Sequence, residues 1–331
     1  MHAVRLHAFG PAENLTYENV DDPVPGPGQV RIAVAAAGVH LLDTALREGA
    51  AGPFGAPAEL PTVPGREVAG TVESLGEDTD PAWLGKRVVA HLGMAPGGYA
   101  ELAVTDVGRL HEIPGNLDPS GAVAMIGTGR TALGILQYTD LGPGDLVIVP
   151  AAAGGIGTLI VQYARNAGAT VIGLAGGPAK TAHVRDNGAD LAVDYKQPGW
   201  ADTVRDRLGD RRATVVYDSV GGAAGRACVD LLGKGGRHIV FGWSSQGILS
   251  DSPLTLTDEE LTERGITSES VLGPAMLEKA GGLRALETRA LTEAATGRLR
   301  PAVQRHALAD AAGAHRALET RGTIGKVVLI P

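Results

Sequence analysis

Cysteine is almost missing from this chain. Cys228 is the only one in 331 residues, which excludes an intrachain disulfide and a thiolate zinc cluster. No block of Lys or Arg is present and the net charge is −8, which argues against nucleic acid or an anionic membrane as the main partner. No apolar run reaches the roughly 20 residues needed to cross a bilayer. The N-terminal MHAVRLHAFG lacks the apolar core of a signal peptide, so the expected compartment is the cytoplasm. The nine histidines form no HxH or HExxH pair and read as surface or core residues rather than a metal site. Glycine, in contrast, is abundant at 48 residues, which suits many strand–helix turns. With 44% apolar and 20% charged residues this is an ordinary globular composition, and the length allows two domains.

The most informative stretch is LVIVPAAAGGIGTLIVQYARNAGATVIGLAGGPAK, Leu146 to Lys180. A short apolar run, an Ala/Gly turn, a helix with Ile156, Leu159, Ile160 and Tyr163 along one side, and a second apolar run follow one another. That is a strand–turn–helix–strand unit suited to a dinucleotide. Ala152, Gly154 and Gly157 take the small-residue positions of the fingerprint, with Ala in place of the first Gly. The turn residues Ala153, Gly154, Gly155, Ile156 and Gly157 would then bring backbone N–H groups and a helix N-terminus to a pyrophosphate. NAD-preferring sites place an acid at the end of the second strand. That place, near Ala175–Gly176, holds none, and Lys180 follows. The missing acid leaves room for a 2′-phosphate, although Lys180 taken alone also reads as a solvated helix-start lysine; the resemblance described below turns the expectation to NADPH.

Around this unit the chain changes character. The first hundred or so residues read as short strands, Val30–Ala37, Val68–Val72, Arg87–Ala90 and Tyr99–Val104, separated by Pro/Gly turns. Gly49 to Pro64 carries four prolines and reads as a loop near a site mouth. After a helix at Gly121–Leu136, strands alternate with helices: Leu146–Pro150, Val171–Leu174, Leu191–Val193, Thr214–Asp218 and His238–Gly242. Such alternation implies a parallel sheet covered on both faces. Gly281–Thr296 and Ala309–Thr320 read as helices, and Gly325–Ile330 as a last strand that returns to the N-terminal domain. The polar stretch Gly247 to Ser270 resists assignment.

An ordered set of motifs spans nearly the full length: Gly38 to Asp43 (GxxxxD), PGREVAGTV, GGYAE, GRTAL, AAAGGIG, VVYDSVGG and GKVVL. In these the chain resembles the zinc-independent quinone oxidoreductases of the medium-chain dehydrogenase/reductase superfamily. The resemblance implies an α/β architecture: a GroES-like β-rich catalytic domain (1–122 and 273–331) and a Rossmann doubly wound domain (123–272). It implies a homodimer or tetramer joined partly through the nucleotide-domain sheets. It also adds Tyr195 and Arg321 to Lys180 and Gly176 around a 2′-phosphate. Thr131 in GRTAL matches a small hydroxyl near the nicotinamide, though a helix Thr can equally bond its own backbone. Ser219, Val220 and Gly221, with Phe241, Gly242 and Trp243, follow two strands whose carboxyl ends should face the cofactor. Gly242 also reads as a packing residue.

Zinc-bearing relatives use a Cys and a His–Glu pair in the catalytic domain. Here His40 stands at the Cys position and Arg66 at the His position, and a guanidinium is no metal ligand. The four-cysteine lobe is missing too. No metal is expected, and a zinc alkoxide mechanism gives way to hydride transfer onto a polarised acceptor. On the substrate side His40 and Asp43 are the polar candidates. His40 either polarises an acceptor oxygen and donates a proton, or is a hydrogen-bonded core histidine. Asp43 reads as the cap of a helix over Thr44–Glu48. Arg66 and Glu67 read as a local ion pair. Ala45 and Gly52 stand near the places of the family's pocket tyrosines, which implies a differently shaped pocket. Three functions follow. The first is quinone reduction by NADPH; the second is reduction of an α,β-unsaturated carbonyl. The third is an NADPH-binding structural or regulatory protein with little turnover.

Overall fold

All four residues of the strand Leu146–Val149 are buried, as a strand covered on both faces requires. It lies near the middle of a six-stranded sheet in the computed structural model, which describes residues 1–51, 55–93, 96–246 and 254–331. The spatial order is Leu191–Asp194, Thr170–Ala175, Leu146–Val149, Ala213–Asp218, Leu232–Val240, Thr267–Ser270, and every pair is parallel. The chain builds outward to one side of Leu146–Val149 and then crosses to the other. That reversal makes the crevice at the carboxyl ends where α/β sheets bind ligands. Leu146, Ile148, Ile172, Val204, Val216 and Cys228 pack the core beneath it.

Two details differ from the sequence reading. The strand expected at His238–Gly242 runs Leu232–Val240, which leaves residues 241–243 as the turn. The unassigned polar stretch holds a helix, Asp258–Arg264, and an edge strand, Thr267–Ser270. The strand is polar because an edge needs no second apolar face. The helix begins with a capping box in which Thr257 and Glu260 accept each other's backbone N–H groups. Residues 247–253 of that stretch, and Gly52, lie outside the described residues.

The other unit is antiparallel apart from one pair. Its main sheet runs Val303–Ala307, Lys326–Ile330, Gln29–Val39, Glu67–Leu75, Arg87–His91, Leu110–Glu112, with Leu102–Asp106 also on Gln29–Val39. The last strand does return here: Val327 pairs with Val39 and Val328 with Gly38. Leu6, Ile32, Val68, Val88, Tyr99 and Leu110 share its core. The strand expected from Tyr99 starts only at Leu102.

The chain divides into Met1–Gly129, Ala290–Ala295 and Pro301–Pro331 against Arg130–Arg289 and Thr296–Arg300. The division falls beyond the expected 122/123 and 272/273 positions for a packing reason. The helix Pro119–Ala124 continues through a π-helical turn, Met125–Gly129, into Arg130–Leu136. That last piece holds residues 274–289 to the nucleotide unit: Gln137 donates to the Met276 carbonyl at 2.8 Å and Arg130 meets Glu287 at 2.6 Å. Among the described residues no helix is long and apolar enough to cross a membrane.

Candidate active site

The coenzyme cradle is built by crowding. After Val149 the chain turns through Ala151, which takes a left-handed φ of 50°. The Ala152 N–H donates to Leu174 O at 2.9 Å and the Gly154 N–H to Ala151 O at 2.9 Å, so the elbow is tied to the neighbouring strand. The helix Gly155–Asn166 starts at once, with no side chain capping it. A side chain at Gly157 would overlap the Ala151 carbonyl, so helix and elbow touch at backbone distance. A Cβ at Gly154, in contrast, would meet only Ala151 O, at 3.3 Å. Ala153 is buried at the elbow and Ile156 half-buried in the first helical turn. Uncapped N–H groups beside open space on an otherwise crowded turn fit a pyrophosphate.

Two further turns form one ledge at the same end of the sheet. Asp218 is fully buried, and its Oδ1 accepts from the N–H groups of Val220 (2.7 Å) and Gly221 (2.9 Å). Its Oδ2 lies 3.2 Å from His238 Nε2, and His238 Nδ1 lies 2.9 Å from Ser268 Oγ. Ser244 and Ser245 donate backbone N–H groups to the carbonyls of Ser219 and Val220, each at 3.0 Å. A Cβ at Gly242 would meet Ser219 O at 3.1 Å, so this glycine packs the two turns together. The ledge therefore spends most of its backbone polar groups on itself. Val220 and Phe241 are buried in it. The Trp243 Nε1 is buried and has no acceptor among the described residues, which leaves a donor for a bound group.

The second strand ends at Ala175. Gly177, with φ 91°, leads into the helix Pro178–Asp186, and Lys180 lies in its first turn. Tyr195 donates its N–H to Ala175 O at 3.1 Å, which sets it beside Gly176. Lys196 is a cation that the sequence reading missed: a Cβ at Gly176 would meet its Cε at 2.7 Å. An acid stands nearby on the next strand. Asp194 is held below the usual carboxylate range by the N–H groups of Gly177 and Lys196. Thr131 lies in the helix Arg130–Leu136 of this unit. Arg321, with a left-handed φ of 54° after the helix Ala311–Glu319, belongs to the GroES-like unit.

That unit carries its own polar centre. His40 follows the strand Gln29–Val39, Glu67 begins Glu67–Leu75, and Lys326 begins the last strand. Sheet pairing brings the three ends together. Lys326 Nζ lies 2.8 Å from Glu67 Oε2 and 2.9 Å from His40 Nε2. His40 Nε2 lies 2.7 Å from Glu67 Oε1. Glu67 is 0% exposed and Lys326 4%, whereas the His40 side chain is 29% exposed. Burial pushes the Glu67 carboxyl up, and the facing His40 and Lys326 more than reverse that, holding it well below the usual range. Gly38 and Gly127 line the carboxylate, and a side chain on either would overlap it. Gly127 lies in the π-helical turn.

The expected Arg66–Glu67 pair is therefore corrected. Neighbouring residues on extended chain point to opposite sides, and the Arg66 guanidinium instead reaches Asp43 Oδ1 at 3.7 Å. Asp43 keeps its capping role from a different position. The helix runs Leu41–Arg47 with His40 at its N-cap, and Asp43, the third helical residue, closes a capping box with it. Its Oδ2 accepts the His40 N–H at 2.8 Å and the Tyr99 hydroxyl at 3.1 Å. The Tyr99 hydroxyl also lies 3.1 Å from His315 Nε2. Burial, with the Asp43 charge, raises the Tyr99 hydroxyl well above its usual value. Burial lowers His315 to about 4.

Comparison with known proteins places both units. Residues 26–115 match the alcohol dehydrogenase GroES-like domain and residues 155–280 the zinc-binding dehydrogenase model. That pairing is the one medium-chain dehydrogenases/reductases are built on. A 2-haloacrylate reductase of Burkholderia sp. is 33% identical, with 99% of this chain and 98% of the relative covered. A quinone oxidoreductase of Pseudomonas aeruginosa is also 33% identical, with 99% of each covered. Among solved structures, an NAD-dependent alcohol dehydrogenase superposes with a TM-score of 0.85 at 30% identity, covering 100% of both chains. A mycobacterial protein complexed with NADPH gives 0.82 at 31% identity, again over 100% of both. The chain belongs to the quinone oxidoreductase-like family of the medium-chain dehydrogenase/reductase superfamily. It is an NAD(P)-dependent oxidoreductase.

Proposed function

We propose that the chain reduces quinones with NADPH and without zinc. The observation that carries the metal-free reading is Lys326. A side-chain ammonium, 2.8 Å from the Glu67 carboxylate and 2.9 Å from the His40 imidazole, already fills the place of a cation between them. NADPH is supported by the cations Lys180 and Lys196 near the end of the second strand, and by the NADPH-complexed relative. Gly154, Gly155, Ile156 and Gly157 would hold the pyrophosphate, and Lys180, Lys196 and Tyr195 the 2′-phosphate. Arg321 joins that set by family resemblance. Thr131, Ser219, Val220, Phe241, Gly242 and Trp243 would line the nicotinamide end, with Ala153 and Gly176 along the cradle. Bound NADPH supplies a hydride from nicotinamide C4. His40 hydrogen-bonds the acceptor oxygen and holds a proton for it, while Asp43 fixes the His40 backbone and takes no direct part. The chain works as a homodimer, for which the edge strand Thr267–Ser270 offers a pairing face.

The second reading, reduction of an alkene conjugated to a carbonyl, is supported by the 33% identical 2-haloacrylate reductase. Steady-state NADPH oxidation with 1,4-benzoquinone, 9,10-phenanthrenequinone and a small enone separates the two. Turnover should persist after exhaustive chelation. Loss on chelation with recovery on added zinc overturns the metal-free reading, and turnover with the enone alone selects the second. Tight NADPH binding with no turnover across the panel would favour a structural or regulatory role.

A further inference from the structure

We propose that His238 is a positioning residue: with Ser268 and Asp218 it forms a buried hydrogen-bonded chain that fixes the turn Ser219–Gly221. The inference rests on the reading above that this turn belongs to the ledge at the nicotinamide end.

Sheet register assembles the chain. His238 stands beside Ser268 on one side and beside Val216 on the other. Asp218 is two residues along from Val216, so its side chain leaves the same face of the sheet. Three polar side chains therefore meet on one face of three adjacent strands. His238 Nδ1 lies 2.9 Å from Ser268 Oγ, and His238 Nε2 lies 3.2 Å from Asp218 Oδ2. Asp218 and His238 are both 0% exposed. The other carboxylate oxygen, Oδ1, accepts the N–H groups of Val220 and Gly221.

Donor and acceptor chemistry gives the chain one direction. A carboxylate only accepts, so the ring nitrogen facing it, Nε2, carries the proton. Nδ1 then accepts from the Ser268 hydroxyl, which rotates to donate. An aspartate that merely capped the helix Gly222–Val229 would need the two turn N–H groups and no histidine. Here the second oxygen is enclosed as well. A side chain at Gly225 would overlap Asp218 Oδ2, so that oxygen is held between the helix backbone and the His238 ring. Leaving it there without a donor would be costly. Held at Oδ2, the carboxylate keeps Oδ1 aimed at the turn. The turn needs such a hold. It runs into two consecutive left-handed glycines, Gly221 at φ 63° and Gly222 at φ 57°, and glycine has little backbone preference of its own.

The test uses the full-length protein. Nitrogen-15 NMR of the His238 ring without coenzyme, at a pH where the ring is neutral, should place the proton on Nε2. The isosteric Asp218→Asn, which offers donors where the carboxylate accepts, should move it to Nδ1. A bare Nε2 in the unsubstituted protein, or a ring unchanged by Asp218→Asn, overturns the chain. His238→Asn is too short to reach Asp218 while bonding Ser268, and kcat for quinone reduction should fall roughly tenfold or more, because a shift of about 1 Å at the reacting ring suffices. His238→Gln, one methylene longer, should recover most of kcat. Binding of adenosine 2′,5′-bisphosphate, which lacks the nicotinamide, should hold in both variants and shows that they are folded. Unchanged kcat in His238→Asn, or an equal loss in His238→Gln, overturns the positioning role. The parent reading is tested on the unsubstituted protein: NADP⁺ should shift the backbone amide signals of Ser219 to Gly221, and adenosine 2′,5′-bisphosphate should not. Signals that ignore NADP⁺ sink the assignment of the ledge, whatever the ring proton shows.

Discussion

At Gly127 a methyl group would overlap Glu67 Oε1, and at Gly38 one would overlap Oε2. The carboxylate has nowhere to retreat, because Lys326 and His40 hold its other sides. Gly127→Ala should therefore cost about 3 kcal/mol or more, from overpacking and a disturbed buried ion pair. Gly144→Ala, where a Cβ would meet nothing within 4 Å, should change stability by no more than about 0.5 kcal/mol. Denaturant unfolding of the two variants checks the contrast. At this scale the sequence exposed residue types but not partners. His40, Arg66 and Glu67 were all visible as polar residues within two of the motifs. Which of them pair depends on strand alternation and on Lys326, some 260 positions further along. A lysine opening an apolar strand was the one available signal, and its partner is set only by sheet register.

The helix Ala311–Glu319 docks with Ala311 and Ala314 in the apolar core and with a polar seam beside them. His315 lies fully buried between Tyr99 and Arg47, with Nδ1 3.5 Å from the Arg47 guanidinium. Its pKa is lowered to about 4, chiefly by burial. The unfolded chain, with a histidine near 6.5, then binds more protons than the folded one between those values. Stability must fall as pH drops below about 6.5 and stop falling from this source near 4, with about 2 kcal/mol lost by pH 5. His315→Gln should remove that share of the loss between pH 7.5 and pH 5, as read by denaturant unfolding. Glu67 does not blur this window. Its depressed carboxyl gives stability that is present above the ordinary carboxylate range and is lost only on further acidification. Among elements, legibility followed periodicity. Buried runs such as Leu146–Val149 were plain, as was the apolar stripe of Gly155–Asn166. The edge strand Thr267–Ser270 carries no apolar alternation, and the capping box before Asp258–Arg264 was present in the sequence but unread.

For the whole molecule, the glycine-rich elbow and the strand–helix alternation already imply a doubly wound sheet, and the terminal strand already implies an interrupted GroES-like unit. The dividing line was harder to place, because one helical stretch, Pro119 to Leu136, serves both units. The elbow proposed to hold the coenzyme was legible as a turn for a related reason. A dinucleotide is held by backbone at strand ends, and small residues there leave a mark in the sequence. Lys196 escaped because its place over Gly176 comes from packing rather than from a motif. Asp194 sets a carboxylate near the same turn, but the N–H groups of Gly177 and Lys196 already engage it. The proposed preference for a phosphorylated dinucleotide therefore rests on the cations. The most direct measurement is a titration with NADPH and with NADH, followed by nicotinamide fluorescence, on the unsubstituted protein and on Lys180→Ala. The account predicts tighter binding of NADPH, with roughly a tenfold loss in the variant and little change for NADH. Equal affinity for the two coenzymes in the unsubstituted protein would contradict it.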